Sequence, residues 1–503
     1  MLAYLDPAFT PVAAPAARVH LTTVHQRAPV LDALQAYRTA EGVSFSTPGH
    51  KQGPGLDRPM RRLLGRRFAQ ADVWLNTADH DRARRQAEEL AAETWRADQS
   101  FFLVNGSSSG NQAFLLATLN PGDEVIVGRD LHQSLLTALI LTGARPVYVA
   151  PRLHPELNVG LGVAQEDVAA LLDAHPAAKL VIVTSPSYWG VASDLPAIVA
   201  AAAARGVPVY VDEAWGPHFG FHPELPVSAM QAGAMGAVTS PHKLLSGLSQ
   251  AALLNVRRAG LDLARLSNAV RLTQTTSPLM PVLASLDACR RQMALRGGEL
   301  MERALRLAAY GRQLLGALPG VRVLDAARLG LPAAQHDPTR LVIDVQGLGL
   351  TGYEAERMLR EGHGVAPEMS DTAGLVCLVT LGDTRSSIRR LAQAVSALAG
   401  QARCAAGGAR CPRVAGEAIA PGEQVLTPRE AYFAPSRSVP LLAAAGAVAA
   451  EAVIPYPPGI PMLLPGEIIS AVKLDCLRES LAAGMHVRGV ADATLQTLRV
   501  VAG

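Results

Sequence analysis

The stretch V-T-S-P-H-K-L-L-S-G-L-S-Q, residues 238–250, contains Lys243, one of only four lysines in a chain that carries most of its positive charge on arginine. Two small hydroxyl residues, Thr239 and Ser240, end the apolar segment before it, and His242 adjoins it. A lysine that reacts as a nucleophile needs a lowered pKa, which burial and neighbouring cations supply. This pattern predicts either a reactive amine or a solvated lysine at the start of a helix, and upstream segments decide between them.

A second segment, V-P-V-Y-V-D-E-A-W-G-P-H at residues 207–218, carries an acid at the end of a strand pattern. The run from Val209 to Val211 predicts a buried strand, and Asp212 follows at its carboxyl end, where open α/β sheets bind ligands. A carboxylate there can hold the pyridinium nitrogen of pyridoxal phosphate. Asp212 and Lys243 on successive strand ends are the minimum set for that cofactor, although an aspartate that caps the next helix is the alternative.

Upstream of both, a strand pattern at residues 101–104 leads into a loop of small residues, N-G-S-S-S-G at 105–110, and then into a helical pattern at 112–119. Backbone N–H groups and the helix dipole can bind a phosphate at such a junction. The loop has neither the lysine of a P-loop nor the G-x-G-x-x-G of a dinucleotide site, so it does not indicate a nucleotide. By itself it could equally be a plain turn.

Length and composition narrow the class of protein. At 503 residues the chain is long enough for two or three domains, and 49% hydrophobic with 18% charged residues is ordinary for a soluble globular protein. The formal net charge is only +3, without a basic block interleaved with aromatics, so we expect no nucleic-acid partner. Neither a signal peptide nor a membrane-spanning apolar run is evident, so we expect a cytoplasmic protein without a membrane partner. The five scattered cysteines predict reduced thiols and no metal site.

Periodicity predicts a regular alternation of strands and helices from residue 101 onward. Strands are predicted at 124–127, 146–149, 180–184, 207–211 and 236–239, with helices at 110–119, 132–142, 165–174 and 195–205. Strands separated by helices imply right-handed crossovers and a mainly parallel sheet. We therefore predict an α/β fold, a mostly parallel sheet flanked by helices, with a smaller α+β C-terminal part. The expected regions are an N-terminal arm at 1–70, a large domain at 71–290, a small α/β domain at 291–400, and a linker with a C-terminal subdomain at 401–503.

A series of motifs, in order along most of the chain, resembles the Orn/Lys/Arg decarboxylases, a pyridoxal-phosphate family of fold type I within the aspartate aminotransferase-like superfamily. They are S-F-S-T-P-G-H-K-Q-G at 44–53, S-F-F-L-V-N-G-S-S-S-G-N at 100–111, D-L-H-Q-S at 130–134, D-E-A-W at 212–215, S-P-H-K at 240–243, P-R-E-A-Y at 428–432 and P-Y-P-P-G-I-P-M-L-L-P-G-E at 455–467. The S-P-H-K motif alone is modest evidence, whereas the ordered series is strong. The resemblance implies decarboxylation of a basic L-amino acid to a polyamine precursor and CO₂, with arginine favoured, then lysine or ornithine.

The resemblance also implies a role for individual residues. Lys243 would bind pyridoxal 5'-phosphate as a Schiff base, and Asp212 would pair with the pyridine nitrogen. His132 would stack on the pyridine face, and Trp215 would line the pocket. The residues that match phosphate-side positions of the family are Ser107, Ser108, Ser240 and His242. Without the family, a lone histidine before an apolar helix is more often a cap or a core residue.

Substrate binding and assembly are predicted from fewer residues. Glu368, Asp371 and Glu467 are candidates for the cationic end of a basic substrate, because a carboxylate is its natural partner. Each could equally be a surface acid or a helix cap. Thr276 and Ser277 lie in a T-S-P segment that in the family reaches the partner's active site, so we expect a homodimer or higher homo-oligomer with composite active sites.

Two other functions stay open on the sequence alone. An aminotransferase or another carbon–carbon lyase of the same fold would share the cofactor, and aminotransferases typically hold the α-carboxylate with a small-domain arginine, of which this chain has several candidates. A non-catalytic binding protein is disfavoured, since such a chain need keep neither Lys243 nor Asp212. The choice among basic amino acids depends on pocket geometry, and arginine is favoured only by analogy with compact members of the family.

Overall fold

The computed structural model describes residues 23–39, 43–73, 78–155, 157, 159–402, 419–456, 460–482 and 486–502. Most of the predicted linker at the start of the last region lies outside these ranges, as do Cys404 and Cys411. Among the described residues, no helix is both long and apolar enough to cross a bilayer.

A seven-stranded sheet forms the centre of the large domain. Its strands are β1 (Gln99–Leu103), β2 (Glu124–Gly128), β3 (Arg145–Val149), β4 (Leu180–Thr184), β5 (Val209–Glu213), β6 (Gly236–Thr239) and β7 (Ala252–Val256). The strand order is β1-β7-β6-β5-β4-β2-β3, and only β7 runs antiparallel to its neighbours. The predicted mostly parallel sheet is therefore confirmed, with the antiparallel strand β7 lying between β1 and β6.

Helices cover both faces of this sheet. They are α1 (Pro29–Thr39), α2 (Arg58–Ala71), α3 (Ala78–Trp95), α4 (Gly106–Thr118), α5 (Gln133–Thr142), α6 (Gln165–Ala174), α7 (Leu195–Ala203), α8 (Ala229–Ala232), α9 (Pro241–Leu244) and α10 (Leu263–Thr273). One apolar core lies under α4, α5 and α10, and a second lies under α6 and α7. At Gly110 an added Cβ would come within 2.6 Å of Val238, so the glycine lets α4 lie close against the sheet.

A 37-residue helix, α11 (Met280–Gly316), joins the large domain to a four-stranded antiparallel sheet. The elements of this smaller part are β8 (Arg322–Leu324), β9 (Arg340–Asp344), α12 (Gly352–His363), β10 (Met369–Ser370), β11 (Gly374–Leu378) and α13 (Arg385–Ala402). The region from residue 419 adds α14 (Pro428–Phe433), β12 (Ser436–Pro440), β13 (Ile454–Tyr456), α15 (Ala471–Ala482), β14 (His486–Arg488) and β15 (Thr497–Val501), around an apolar core of its own.

Two element boundaries differ from the prediction near the site. Helix α4 begins at Gly106, because the Ser109 hydroxyl bonds the Gly106 carbonyl at 2.8 Å and closes a first turn, so the predicted serine loop is helical. Strand β5 extends to Glu213, which places Asp212 inside the strand. Both shifts leave these residues at the carboxyl edge of the sheet.

Candidate active site

The carboxyl ends of three adjacent parallel strands bring the first predicted site residues together. Thr184 ends β4 and lies opposite Asp212 in β5, while Thr239 ends the neighbouring β6. The chain then passes through Ser240 into α9, which carries Lys243. The aspartate and the lysine therefore share one edge of the sheet, where α/β folds bind ligands.

The Lys243 amine forms no ion pair within the described residues. Its Nζ lies 4.0 Å from the centroid of the Trp215 ring. Burial lowers the pKa of Lys243 to about 8; Asp212 opposes this shift, and Arg340 adds to it. A larger share of neutral amine near neutral pH is what a lysine nucleophile requires.

The Asp212 carboxylate is 3% exposed and firmly oriented. Its Oδ2 accepts a hydrogen bond from Asn111 Nδ2 at 2.8 Å, and its Oδ1 accepts one from the Ala214 N–H at 3.1 Å. Asn111 is itself fixed by the Tyr210 hydroxyl, which donates to its Oδ1 at 2.8 Å. In the described part of the chain no arginine or lysine is ion-paired with Asp212, so this carboxylate is suited to hold a protonated nitrogen of a ligand.

The hydrogen bonds of His132 determine its tautomer. Ser134 Oγ lies 2.8 Å from both Asn111 Nδ2 and His132 Nδ1. Because Nδ1 accepts a hydrogen bond from the Ser134 N–H at 3.2 Å, it carries no proton, and the Ser134 hydroxyl donates to it. The ring proton therefore lies on Nε2 and the ring is neutral. Burial of the ring lowers the pKa of His132, which agrees with this assignment. His132 is thus also the N-cap of α5.

The predicted phosphate-side residues lie at two helix starts. Ser107 and Ser108 are in the first turn of α4, where backbone N–H groups have no helical partner. Ser240 is fully buried, and its Oγ has no hydrogen-bond partner within the described residues. His242 Nδ1 lies 2.8 Å from the Ala251 carbonyl, which leaves Nε2 available. An unsatisfied buried hydroxyl is costly, so Ser240 fits a bound phosphate, and the residues present fit pyridoxal phosphate.

Trp215 separates Lys243 from the small sheet. The Tyr188 ring packs at 5.2 Å from it, and the Arg340 guanidinium carbon lies 5.3 Å from its centroid. Arg340 is fully buried, donates to the Trp215 carbonyl at 2.9 Å, and lies 3.4 Å from the Asp337 carboxylate. An arginine of the small sheet therefore holds Trp215 in place.

The three candidate substrate acids lie in different surroundings. Glu368 is exposed, and its carboxylate makes no hydrogen bond or ion pair to the described residues. Although the residue is exposed, partial desolvation of its carboxylate raises its pKa, while the charges of Lys243 and Arg340 act to lower it. Asp371 Oδ1 accepts from the N–H groups of residues 373 and 374 at 2.7 Å, and burial raises its pKa to about 6. Glu368 is thus the acid that is free to bind a substrate, whereas Asp371 closes a turn.

Glu467 is fully buried and has several protein partners. Both of its oxygens accept hydrogen bonds from the Arg129 guanidinium, one at 2.8 Å, and Lys473 Nζ lies 3.4 Å from Oε2. The N–H groups of Gly422 and Leu464 each donate to it at 3.2 Å. These contacts favour a structural role over the predicted contact with a substrate.

Thr276 and Ser277 lie on the surface and are not brought to Lys243 by described contacts. Thr276 lines an open cavity of about 350 Å³ together with His80, Asp81 and Arg84. Their predicted role in a partner's active site remains a prediction.

The structure also identifies two residues that sequence reasoning missed. Asn111 was visible as the last residue of the S-S-S-G-N motif, but only the fold shows that it contacts Asp212, from which it is 101 positions distant. Arg340 was one of many arginines, and its contact with Trp215 spans 125 positions. Neither partner could be inferred from local pattern.

Comparisons with known proteins agree with this geometry. The family model "Orn/Lys/Arg decarboxylase, major domain" matches residues 28–329, and "Orn/Lys/Arg decarboxylase, C-terminal domain" matches residues 417–489. An arginine decarboxylase of Bacillus subtilis (strain 168) is 38% identical over 94% of this chain and 97% of its own length. One from Bacillus anthracis is 36% identical over 94% of this chain and 97% of its own length.

A solved structure supports the fold. Lysine decarboxylase A from Pseudomonas aeruginosa superposes with a TM-score of 0.80 at 23% identity, covering 97% of this chain and 82% of the other. The family model matches more than half of the chain, and the relatives match nearly all of it. The geometry agrees, since a buried lysine and a buried aspartate share one edge of the sheet. This chain belongs to the Orn/Lys/Arg decarboxylase family, pyridoxal-phosphate-dependent enzymes that remove CO₂ from basic amino acids.

Proposed function

We propose that this enzyme decarboxylates L-arginine to agmatine, with lysine and ornithine as weaker substrates. The observation that carries the proposal is the free carboxylate of Glu368, which lies close enough to Lys243 for the two charges to interact. A basic substrate held with its α-amino group near Lys243 would extend its cationic end toward that acid. The arginine decarboxylases at 36–38% identity favour arginine, since the relative named a lysine decarboxylase of Pseudomonas aeruginosa is 26% identical.

The cofactor would supply the electron sink for the reaction, and the protein would bind and orient the cofactor. When bound, pyridoxal phosphate supplies an electron sink for the electron pair that remains when the carboxylate leaves as CO₂. Lys243 would hold the cofactor covalently, which its lowered pKa favours. Asp212 would hold the proton on the ring nitrogen, and the hydrogen bond from Asn111 fixes the orientation of the Asp212 carboxylate. His132 would present its neutral ring to the cofactor face.

Substrate orientation decides which bond breaks. The bond to the leaving carboxylate must lie perpendicular to the cofactor ring, and gripping the far end of the substrate sets that angle. Glu368 would bind the guanidinium at the far end of the substrate, because a carboxylate can pair with a guanidinium through two parallel hydrogen bonds. Arg340 donates to the Trp215 carbonyl and lies 3.4 Å from Asp337, but its Nε and Nη1 have no hydrogen-bond partner among the described residues, so the assay below and not this arginine tests the aminotransferase alternative.

We also propose that the functional unit is a homodimer with composite sites. Several large apolar side chains near the predicted arm and the T-S-P segment are exposed: Val43 by 86%, Phe45 by 92%, Leu63 by 81% and Leu272 by 74%. Exposure on this scale is costly in a monomer and is typical of surfaces that another subunit covers. A cytoplasmic location is proposed with it, since Cys289, Cys377 and Cys476 are free thiols.

A side-by-side assay tests the activity. The purified protein, loaded with pyridoxal phosphate, is given L-arginine, L-lysine or L-ornithine, and amine, CO₂ and keto acid are measured. We expect CO₂ and agmatine from arginine, and neither from a Lys243→Ala control. Keto acid without CO₂ would support transamination instead, and CO₂ from lysine in preference to arginine would reverse the substrate assignment.

A further inference from the structure

The loop that connects β2 to α5 carries two side chains that point to different parts of the molecule. Arg129 follows β2 directly, and its backbone N–H bonds the Val149 carbonyl at 2.9 Å. Its side chain is fully buried and reaches the C-terminal region, where it binds Glu467 and the Met462 carbonyl at 3.1 Å. His132, at the end of the same loop, caps α5 and lies near enough to Asp212 and Lys243 for their charges to act on its ring.

The C-terminal region holds α5 at its other end as well. Arg429 Nη1 donates to the carbonyls of Ile140 and Leu141, each at 3.0 Å. Carbonyl groups in the last turn of a helix lack helical partners, so an arginine there fixes the helix end. The motif P-R-E-A-Y thus contacts one end of α5, and P-G-E contacts the loop before the other end.

The Glu467 carboxylate is rigidly placed within its own region. Gly466 precedes it with φ +92°, and an added Cβ there would lie 2.1 Å from the Leu426 carbonyl oxygen, so only glycine fits this turn. Lys473 and two backbone N–H groups then fix the carboxylate. Arg129 therefore binds an acceptor that cannot move independently of the C-terminal region.

A continuous set of contacts leads from this ion pair to the site. The loop residue Leu131 is buried, so the backbone between Arg129 and His132 has little freedom. His132 bonds Ser134, which bonds Asn111, which bonds Asp212. A shift of the loop would rotate the His132 ring and disturb the bonds that orient Asp212.

We propose that Glu467 is a positioning residue, which acts through Arg129 to fix the His132 ring against the cofactor. The C-terminal region thereby contributes to catalysis without contacting the substrate. The proposal rests on the proposed use of His132 as the residue that faces the cofactor. A purely structural role for the ion pair is the competing explanation, and the following variants separate the two.

The decisive variant replaces the whole cluster by apolar residues of similar size: Arg129→Met, Glu467→Met and Lys473→Met together. Removing one partner of a buried ion pair leaves an uncompensated charge, whereas replacing all partners can leave stability unchanged. We expect this triple variant to retain its melting temperature within a few degrees. We expect its kcat to fall about 100-fold with KM within about 2-fold, because small displacements of catalytic groups have effects of that size.

Two further variants and a control complete the experiment. Glu467→Gln removes the charge at constant shape, and Arg429→Met releases only the far end of α5. Both should lower kcat, Arg429→Met the less. Glu166→Gln, in an exposed pair with Arg152 at 2.6 Å, should leave kcat unchanged. The visible circular dichroism of the bound pyridoxal phosphate, which reports the orientation of its ring, should change in the first three variants only.

The outcomes are distinguishable. Normal kcat and a normal dichroism spectrum in the triple variant would overturn the proposal, and so would loss of folding in every cluster variant, since the cluster would then serve stability alone. The dichroism measurement needs only cofactor binding. If the unmodified protein binds pyridoxal phosphate but releases no CO₂, the proposed activity fails while the positioning role can still be read.

Discussion

Lys243 and Lys473 are both shielded lysines, and burial lowers the pKa of each to about 8. Their partners differ. Lys473 is 3% exposed and lies 3.4 Å from a carboxylate oxygen of Glu467, which also binds Arg129. Lys243 lies over the Trp215 ring without an ion-paired carboxylate in the described part of the chain. A lowered pKa therefore does not distinguish the two lysines, because desolvation acts on both; the absence of an ion-paired partner at Lys243 does.

The same distinction separates two of the acids. Glu467 is saturated by two cations and two backbone N–H groups, whereas Glu368 has none of these contacts within the described residues. Groups that bind a ligand must leave hydrogen-bonding capacity unused in the free protein. The Glu467 carboxylate, which joins two regions of the chain, has protein donors on both of its oxygens.

Substitution of the two lysines, one at a time, should give the largest difference in activity. Lys243→Ala should lower kcat by roughly three orders of magnitude or more, since the covalent group itself is lost. Lys473→Met should keep the absorbance of the bound cofactor and retain activity within about tenfold, because Arg129 still neutralises Glu467. Absorbance spectra and initial rates measure both. Comparable losses of activity in the two variants would contradict the distinction drawn between Lys243 and Lys473.

The two acids should differ in the kinetic constant that they change. Glu368→Gln should raise KM for L-arginine about 10- to 100-fold, the usual cost of a charge-assisted hydrogen bond. Glu467→Gln should leave KM within about 2-fold and lower the melting temperature, because it leaves two buried cations without a counter-charge. Steady-state kinetics and thermal melts are the measurements. A raised KM in Glu467→Gln would restore its predicted contact with the substrate.

Sequence reasoning succeeded where the signal is local. The strand patterns before Asp212 and Lys243 place both at the sheet edge, since parallel strands bring their carboxyl ends together. The sequence could not reveal the partner of Glu467, because Arg129 is 338 positions away. A glutamate in a P-G-E turn looks the same whether it faces a substrate or a buried arginine. Which of these roles applies depends on a partner that is distant in the sequence, and the periodicity of a single sequence carries no information about such a partner.

Borohydride trapping of pyridoxal phosphate on lysine, over a range of pH, should show which of the two lysines the cofactor can reach. In the cofactor-free protein, borohydride reduction after brief exposure to pyridoxal phosphate should label Lys243 and leave Lys473 unlabelled. The labelling rate should rise about tenfold per pH unit up to the Lys243 pKa of about 8 and then level off, because only the neutral amine reacts. Peptide mass spectrometry measures it. Equal labelling of both lysines would contradict the role assigned to Glu467.

The same pKa values predict how stability depends on pH. An unfolded lysine keeps its proton to about pH 10.4, whereas the folded protein loses it from about pH 8. The unfolded state therefore binds more protons in that window, and the stability of the cofactor-free protein should rise with pH across it. In Lys243→Ala this rise should shrink, which denaturant titrations at several pH values would detect.

The smallest effect should come from Ser240, and its sign should depend on the cofactor. Without cofactor, Ser240→Ala removes a buried hydroxyl that has no partner in the described residues, so stability should be unchanged or slightly higher. With cofactor, one hydrogen bond to the phosphate is lost, and the dissociation constant of pyridoxal phosphate should rise about 5-fold, the equivalent of about 1 kcal/mol. Ser109→Ala is the matched control, because that hydroxyl already bonds Gly106 and Gln274. It should lower stability in both states, and a Ser240→Ala variant that behaved likewise would remove Ser240 from the phosphate site.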